Sequence, residues 1–178
     1  MTTLAKTITN ATSVGGIALL LLGAACQVAG ARINTSKSIP VGLYWTTNAP
    51  MDKGAYVLVC PPDADVFRQA KGRGYIGAGF CPGDYGYLMK RVAATQRDTV
   101  TVTVEGVRIN GDVLPLSAPR QADSAGRPLP RYEAKDFVLG PEDVLLMSDR
   151  SATAFDGRYF GPVSRSQMKT TIKPILTW

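Results

Sequence analysis

From Val14 to Cys26 the chain carries only Val, Gly, Ile, Ala, Leu and Cys, and its apolar character runs on through Ala31. A helix built from such a run has no polar stripe, which argues against the alternative of a helix buried in the core of a water-soluble domain. Counted from Val14 the stretch is about 18 residues, the lower edge for crossing a bilayer. The polar start with Lys6 and the small residues Ala29-Gly30-Ala31 at the end also read as a cleavable export signal. Lys6 on one side, with Arg32 and Lys37 on the other, gives no charge bias to orient the segment. Residues 1–31 are therefore expected to be a membrane anchor or an export signal. Residues 32–178 are expected to fold as one domain on the far side of the inner membrane.

Beyond residue 32 the texture changes to short β-type runs. Tyr56–Val59, Tyr85–Val92, Val100–Val104, Val107–Ile109, Phe137–Leu139 and Val144–Met147 all read as strands. Glu105-Gly106 and Asn110-Gly111 read as tight turns between them. The 18 glycines and 12 prolines fit a turn-rich β protein, being too scattered for a low-complexity chain. Residues 61–82, rich in Gly, Pro and charge, read as an excursion. Residues 115–131, with four prolines, read as a surface loop or flap. The expected fold class is mainly β: a β-sheet domain with a covering loop, behind one N-terminal apolar helix.

The chain contains no histidine. That excludes Ser-His-Asp and Cys-His catalysis and nearly every zinc hydrolase site. Any hydrolase chemistry must use Lys, Asp or Glu as the base, and burial can bring a lysine toward neutrality. The net charge of +6 is spread along the chain without a basic run or an aromatic-interleaved stripe. It fits a solvated surface or one resting on anionic lipid, and nucleic acid is not an expected partner. Cys60 and Cys81 both precede proline in the downstream domain. In an exported chain they are candidates for one disulfide, the alternative being two partly buried thiols.

Three segments carry groups that can do chemistry. In Ser36-Lys37-Ser38-Ile39-Pro40 the proline holds the residue after Ser38 extended, so the serine is rigidly presented. An ordinary turn would read the same way. In Leu88-Met89-Lys90-Arg91-Val92 the two cations point to opposite faces of a strand, and alternation does not say which is buried. The bland reading of Lys90 is an edge-strand lysine that blocks unwanted pairing. In Ser148–Pro162 polar and apolar residues mix without a period, and Asp156 with Arg158 can buttress a loop.

In this order, behind an apolar helix, these segments resemble the signal peptidase family of Ser/Lys proteases. More narrowly they resemble its conjugative-transfer, TraF-type branch. Ser38-Ile39-Pro40 with Gly42-Leu43-Tyr44 resembles the nucleophile box, and Lys53-Gly54-Ala55-Tyr56-Val57 the strand that follows. Lys90-Arg91-Val92 resembles the general-base box, and Asp156-Gly157-Arg158-Tyr159-Phe160-Gly161 the last box. The resemblance implies Ser38 as nucleophile, Lys90 as general base and Asp156 as an acidic residue important for activity. It implies Ser36 as an oxyanion donor and Arg158 as support, with no cofactor and no metal. Ala154 departs from the pattern, because the family often carries there a serine that orients the lysine. Ser151 or Thr153 are the candidates to replace it.

The implied setting is the periplasmic side of the inner membrane. The implied partners are an exported pilin-like substrate and other conjugation or pilus-assembly proteins. Cleavage through an acyl-enzyme, with cyclisation of the product as one outcome, is the expected activity. A general leader peptidase is the second enzyme reading. A structural β-domain of a secretion channel is the non-enzyme one.

Overall fold

The computed structural model describes residues 3–178, with side chains from residue 12 onward. A helix, α1 (Thr3–Val28), leads into β1 (Ala31–Asn34) and β2 (Gly42–Thr47). Then come β3 (Tyr56–Val59), α2 (Asp65–Gly72), β4 (Ala78–Cys81) and β5 (Leu88–Ala94). A meander follows of β6 (Thr99–Thr103), β7 (Gly106–Ile109) and β8 (Asp112–Val113), with β9 (Ala134–Val138) after a long loop. The chain ends in β10 (Asp143–Met147), α3 (Gly157–Phe160), β11 (Val163–Ser164) and β12 (Met168–Thr177).

Two sheets carry all of these strands except β4, which makes only isolated bridges to Tyr85. The larger has the order β1-β2-β12-β3-β5-β10-β11, and the smaller β8-β7-β6-β9. One apolar cluster packs α2 against the larger sheet, with Phe67 and Ala70 of the helix meeting Val57, Val59, Val92 and Leu146. A second joins Val100, Val102 and Val107 of the smaller sheet to Leu145 and Met147 of β10. A third, small cluster gathers Ile39, Tyr44, Leu58 and Ile172. Burying each such side chain contributes roughly 1.5–3 kcal/mol. The fold is thus mainly β behind one N-terminal helix, as expected.

Several details differ from the sequence reading. The strand expected from Tyr85 starts at Leu88, because Tyr85 instead bridges back to Ala78 and Cys81. The turn expected at Glu105-Gly106 falls one residue earlier, and Gly106 opens β7. Asn110 and Gly111 both have positive φ, 54° and 90°, which is the type I′ pattern. The 61–82 excursion holds α2 and β4 and is closed at its base by a Cys60–Cys81 disulfide. Residues 115–131 form the irregular covering loop.

The described side chains of α1 are exposed, Leu19 to Leu22 among them at 62–76 %. Among the described residues no helix is long and apolar enough to cross a membrane.

Candidate active site

The segment between β1 and β2 is a short turn with Ser38 at its centre. Ile39 is fully buried in the small third cluster and roots the turn in the sheet. Tyr44, two residues into β2, donates its hydroxyl to the Pro40 carbonyl at 2.6 Å. Gly42 begins β2 with a positive φ, and a Cβ there would collide with the Leu176 carbonyl oxygen of β12. The turn is therefore held from both sides.

Lys90 lies in the middle of β5 and pairs across the sheet with Val57 of β3. Alternation along β5 turns Lys90 inward at 2 % exposure and Arg91 outward. Its ammonium nitrogen stands 2.8 Å from the Ser38 hydroxyl oxygen. Burial pushes the Lys90 amine down to about 8; Asp156 acts against this and Arg158 with it. A charged lysine here donates to the serine. A neutral one can accept the serine proton, which turns the hydroxyl into a nucleophile.

The last polar segment forms a clasp behind this pair. Ser148 follows β10 directly and donates its hydroxyl to the Ser38 carbonyl at 2.7 Å. Its own N–H donates to Asp156 Oδ2 at 2.9 Å. Asp156 and Arg158 are both fully buried, joined by Arg158 Nε to Oδ1 at 2.8 Å and Nη2 to Oδ2 at 2.9 Å. A buried pair of this kind offsets its own desolvation only because the remaining valences are satisfied. Here they are: Asp156 also caps the start of α3, and Arg158 donates to the Ala152 and Ala118 carbonyls. Ala118 belongs to the covering loop, so the pair ties that loop to the site. At Gly157, between the two, a Cβ would stand 2.7 Å from Leu145 and 2.9 Å from the Leu146 carbonyl oxygen. Only glycine lets this corner pack against β10.

Ser38 and Lys90 open on a cleft of about 310 Å³ whose walls include Ile33, Ser36, Tyr75, Tyr87, Met89 and Phe155. Tyr75 comes from the disulfide-closed excursion, and Phe155 from the clasp. Ser36 sits on the same turn, with its hydroxyl donating to Asn34 Oδ1 at 2.9 Å. Among the described residues no group accepts from the Ser38 N–H.

Each residue expected at the site falls in this neighbourhood. Ser38, Lys90 and Ser36 line the cleft, while Asp156 and Arg158 stand behind it without a hydrogen bond to Lys90. The cysteines are paired at one edge. Ser151 and Thr153 hydrogen-bond each other at 3.0 Å and do not reach Lys90, so neither replaces the serine missing at Ala154. Two residues carry more of the geometry than the sequence reading gave them, Ser148 and Asn34. The only signal for Ser148 was its place directly after an apolar run, and Asn34 had none.

A family model described as signal peptidase, peptidase S26, matches residues 1–177. The chain is 62 % identical to an Escherichia coli plasmid transfer protein TraF over 178 residues, covering all of both chains. It is 35 % identical over 153 residues to a probable conjugal transfer protein TraF of Sinorhizobium fredii, covering 84 % of this chain and 78 % of that one. The crystal structure of a signal peptidase I from Enterococcus faecalis V583 matches 70 % of this chain and 98 % of its own, at 16 % identity and a TM-score of 0.40. The chain belongs to the signal peptidase S26 family, in the branch of the plasmid transfer proteins, and is a peptidase.

Proposed function

We propose that the chain is a serine endopeptidase that matures an exported, pilin-like protein for conjugative plasmid transfer, with Ser38 as nucleophile and Lys90 as general base. The observation that carries this reading is the 2.8 Å contact between Lys90 Nζ and Ser38 Oγ, made by a buried lysine. Neutral Lys90 takes the Ser38 proton as the Ser38 oxygen adds to a substrate carbonyl carbon. The oxyanion that forms accepts from the Ser38 N–H and the Ser36 hydroxyl. When the carbon–nitrogen bond breaks, Lys90 returns the proton to the leaving amine, and the substrate remains as an ester on Ser38. Water, activated by the same amine, then releases an acid. If the amino terminus of the same substrate attacks instead, the product is a cyclic chain with a new peptide bond. Asp156, Arg158 and Ser148 position the nucleophile without touching the reacting atoms.

The site of action is the periplasmic side of the inner membrane, reached through residues 1–31. The exposed leucines of α1 support an apolar environment for that segment. The Cys60–Cys81 bridge supports an oxidising compartment for the domain. The partners are the pilin-like substrate, the membrane and other pilus-assembly proteins.

Mass spectrometry of a pilin-like substrate protein, before and after incubation with the enzyme, tests the reading. Hydrolysis and cyclisation differ in mass by one water. A substrate left intact by the native chain, or processed equally by Ser38→Ala, would overturn it.

A further inference from the structure

Asn34 closes β1 and is only 3 % exposed. Its carboxamide nitrogen donates toward the carbonyl oxygens of Ser36, Ile39 and Pro40 at 2.8, 3.0 and 3.0 Å. Its oxygen accepts from the Ser36 N–H at 3.0 Å and from the Ser36 hydroxyl at 2.9 Å. All five contacts fall on residues 36–40, the turn that has Ser38 at its centre. A carboxamide has two N–H donors and two acceptor lone pairs. Three carbonyls share the two hydrogens and two donors fill the two lone pairs, so the side chain is fully committed to this one turn. A carboxylate at this place cannot donate, and an aliphatic side chain cannot bond at all.

Four anchors thus hold the turn: Ile39 by packing, Tyr44 at the Pro40 carbonyl, Ser148 at the Ser38 carbonyl and Asn34 at Ser36, Ile39 and Pro40. Only Asn34 also governs a hydroxyl proton. With its hydroxyl donating to Asn34 Oδ1, Ser36 has a fixed rotamer in the free enzyme. When an oxyanion forms, Ser36 can turn its proton to that charge. Asn34 Oδ1 then keeps the Ser36 N–H as its partner, so no buried group is stranded.

We propose that Asn34 is a positioning residue for acyl transfer, holding the turn that presents Ser38 and keeping the Ser36 hydroxyl poised to meet the oxyanion. This rests on the assignment of Ser36 as an oxyanion donor made above. Asn34 touches neither substrate nor the reacting atoms. Its effect belongs in kcat, since the donors it arranges bind charge that exists only in the transition state.

The test is a double-mutant cycle on Asn34→Ala and Ser36→Ala, read as kcat and KM on a peptide substrate and followed from pH 6 to 10. Asn34→Ala should lower kcat at least thirtyfold, with KM within threefold of the native value. The pH at which activity rises should not move, because Lys90 keeps its surroundings. The double variant should be no slower than the slower single one by more than about threefold, since both changes remove one device. Multiplicative losses, a shifted pH rise, or native kcat in Asn34→Ala would each overturn the proposal. Native kcat in Ser36→Ala alone would instead sink the oxyanion assignment; a kcat loss confined to Asn34→Ala would then sustain its hold on Ser38 and remove the Ser36 half. If Asn34→Ala shows no cooperative melting, Asn34→Thr replaces it. Threonine suits a strand and keeps one donor, and the same split between kcat and KM is expected.

Discussion

The hydroxyl of Ser148 donates to the carbonyl oxygen of Ser38 at 2.7 Å, so the nucleophile is held from behind by the end of β10. Through the Ser148 N–H this hold extends to Asp156 and Arg158. Position and electrostatics therefore reach Ser38 and Lys90 from the same buried ion pair.

Ser148→Ala should lower kcat about tenfold, with little change in KM. The lost neutral hydrogen bond is worth about 1 kcal/mol, and about 1.4 kcal/mol in a barrier is a factor of ten. Steady-state kinetics checks this. An unchanged kcat would mean that Ile39, Tyr44 and Asn34 hold the turn without Ser148.

With Lys90 as the proposed base, activity should rise with pH and level off above about 8, where its amine is free. Lys90→Arg, which stays charged, should be inactive across the whole range. Lys90→Met should be inactive yet more stable. Below about 8 the native fold holds Lys90 as a buried ammonium and carries the full penalty of burying that charge. Between there and 10.5 the unfolded chain holds a proton that the fold does not, so the penalty fades as pH rises. Removing the amine should stabilise the fold at pH 7 by on the order of 3 kcal/mol, and by much less above pH 10.5. Calorimetry at the two pH values tests it, and a less stable variant at pH 7 would count against the burial argument.

Asp156→Asn removes a charge that favours the protonated form of Lys90 and leaves Arg158 to act alone. The rise of activity with pH should therefore move to lower pH. Stability should drop by roughly 3–5 kcal/mol, since one member of a buried pair is stranded. Denaturant melts and the pH–rate curve together check both effects. A rise displaced to higher pH is the result that contradicts the stated sign.

Replacing both Cys60 and Cys81 with alanine opens the excursion that places Tyr75 in the wall of the cleft. The loss of stability should be about 3 kcal/mol for a loop of this length. KM should rise more than kcat falls, because Ser38 and Lys90 lie on other elements. Equal kinetics with and without the bridge would show that α2 packing alone holds the wall.

How much of this was legible in the sequence depended on whether a residue's role has a period. Val100–Thr103 and Val144–Met147 alternate or run apolar, and they are strands. Asn110-Gly111 has backbone requirements that few other pairs meet, and it is the expected turn. Lys90 could be narrowed to one of two faces, and the sheet then chose between them. Asn34 and Ser148 act through one or two hydrogen bonds to backbone far along the chain or around a turn, and no spacing rule announces such bonds. β12 was missed for a related reason. Met168–Thr177 mixes polar and apolar residues and contains Pro174, which lies past Ile172, the last residue paired with β3, and beside a register shift against β2.

That strand has a consequence for how the enzyme comes into being. β12 lies between β2, which continues from the serine turn, and β3, whose other neighbour is the lysine strand β5. In the order of the sheet, Ser38 and Lys90 thus come from opposite sides of β12, and residues 168–177 carry the backbone bonds that join the two sides. A nascent chain emerging without them carries both reactive residues and no competent pair. Pairing so distant in sequence is slow to form. A chain cut before residue 168 should therefore keep Ser38 and Lys90 and lose the sheet that brings them together.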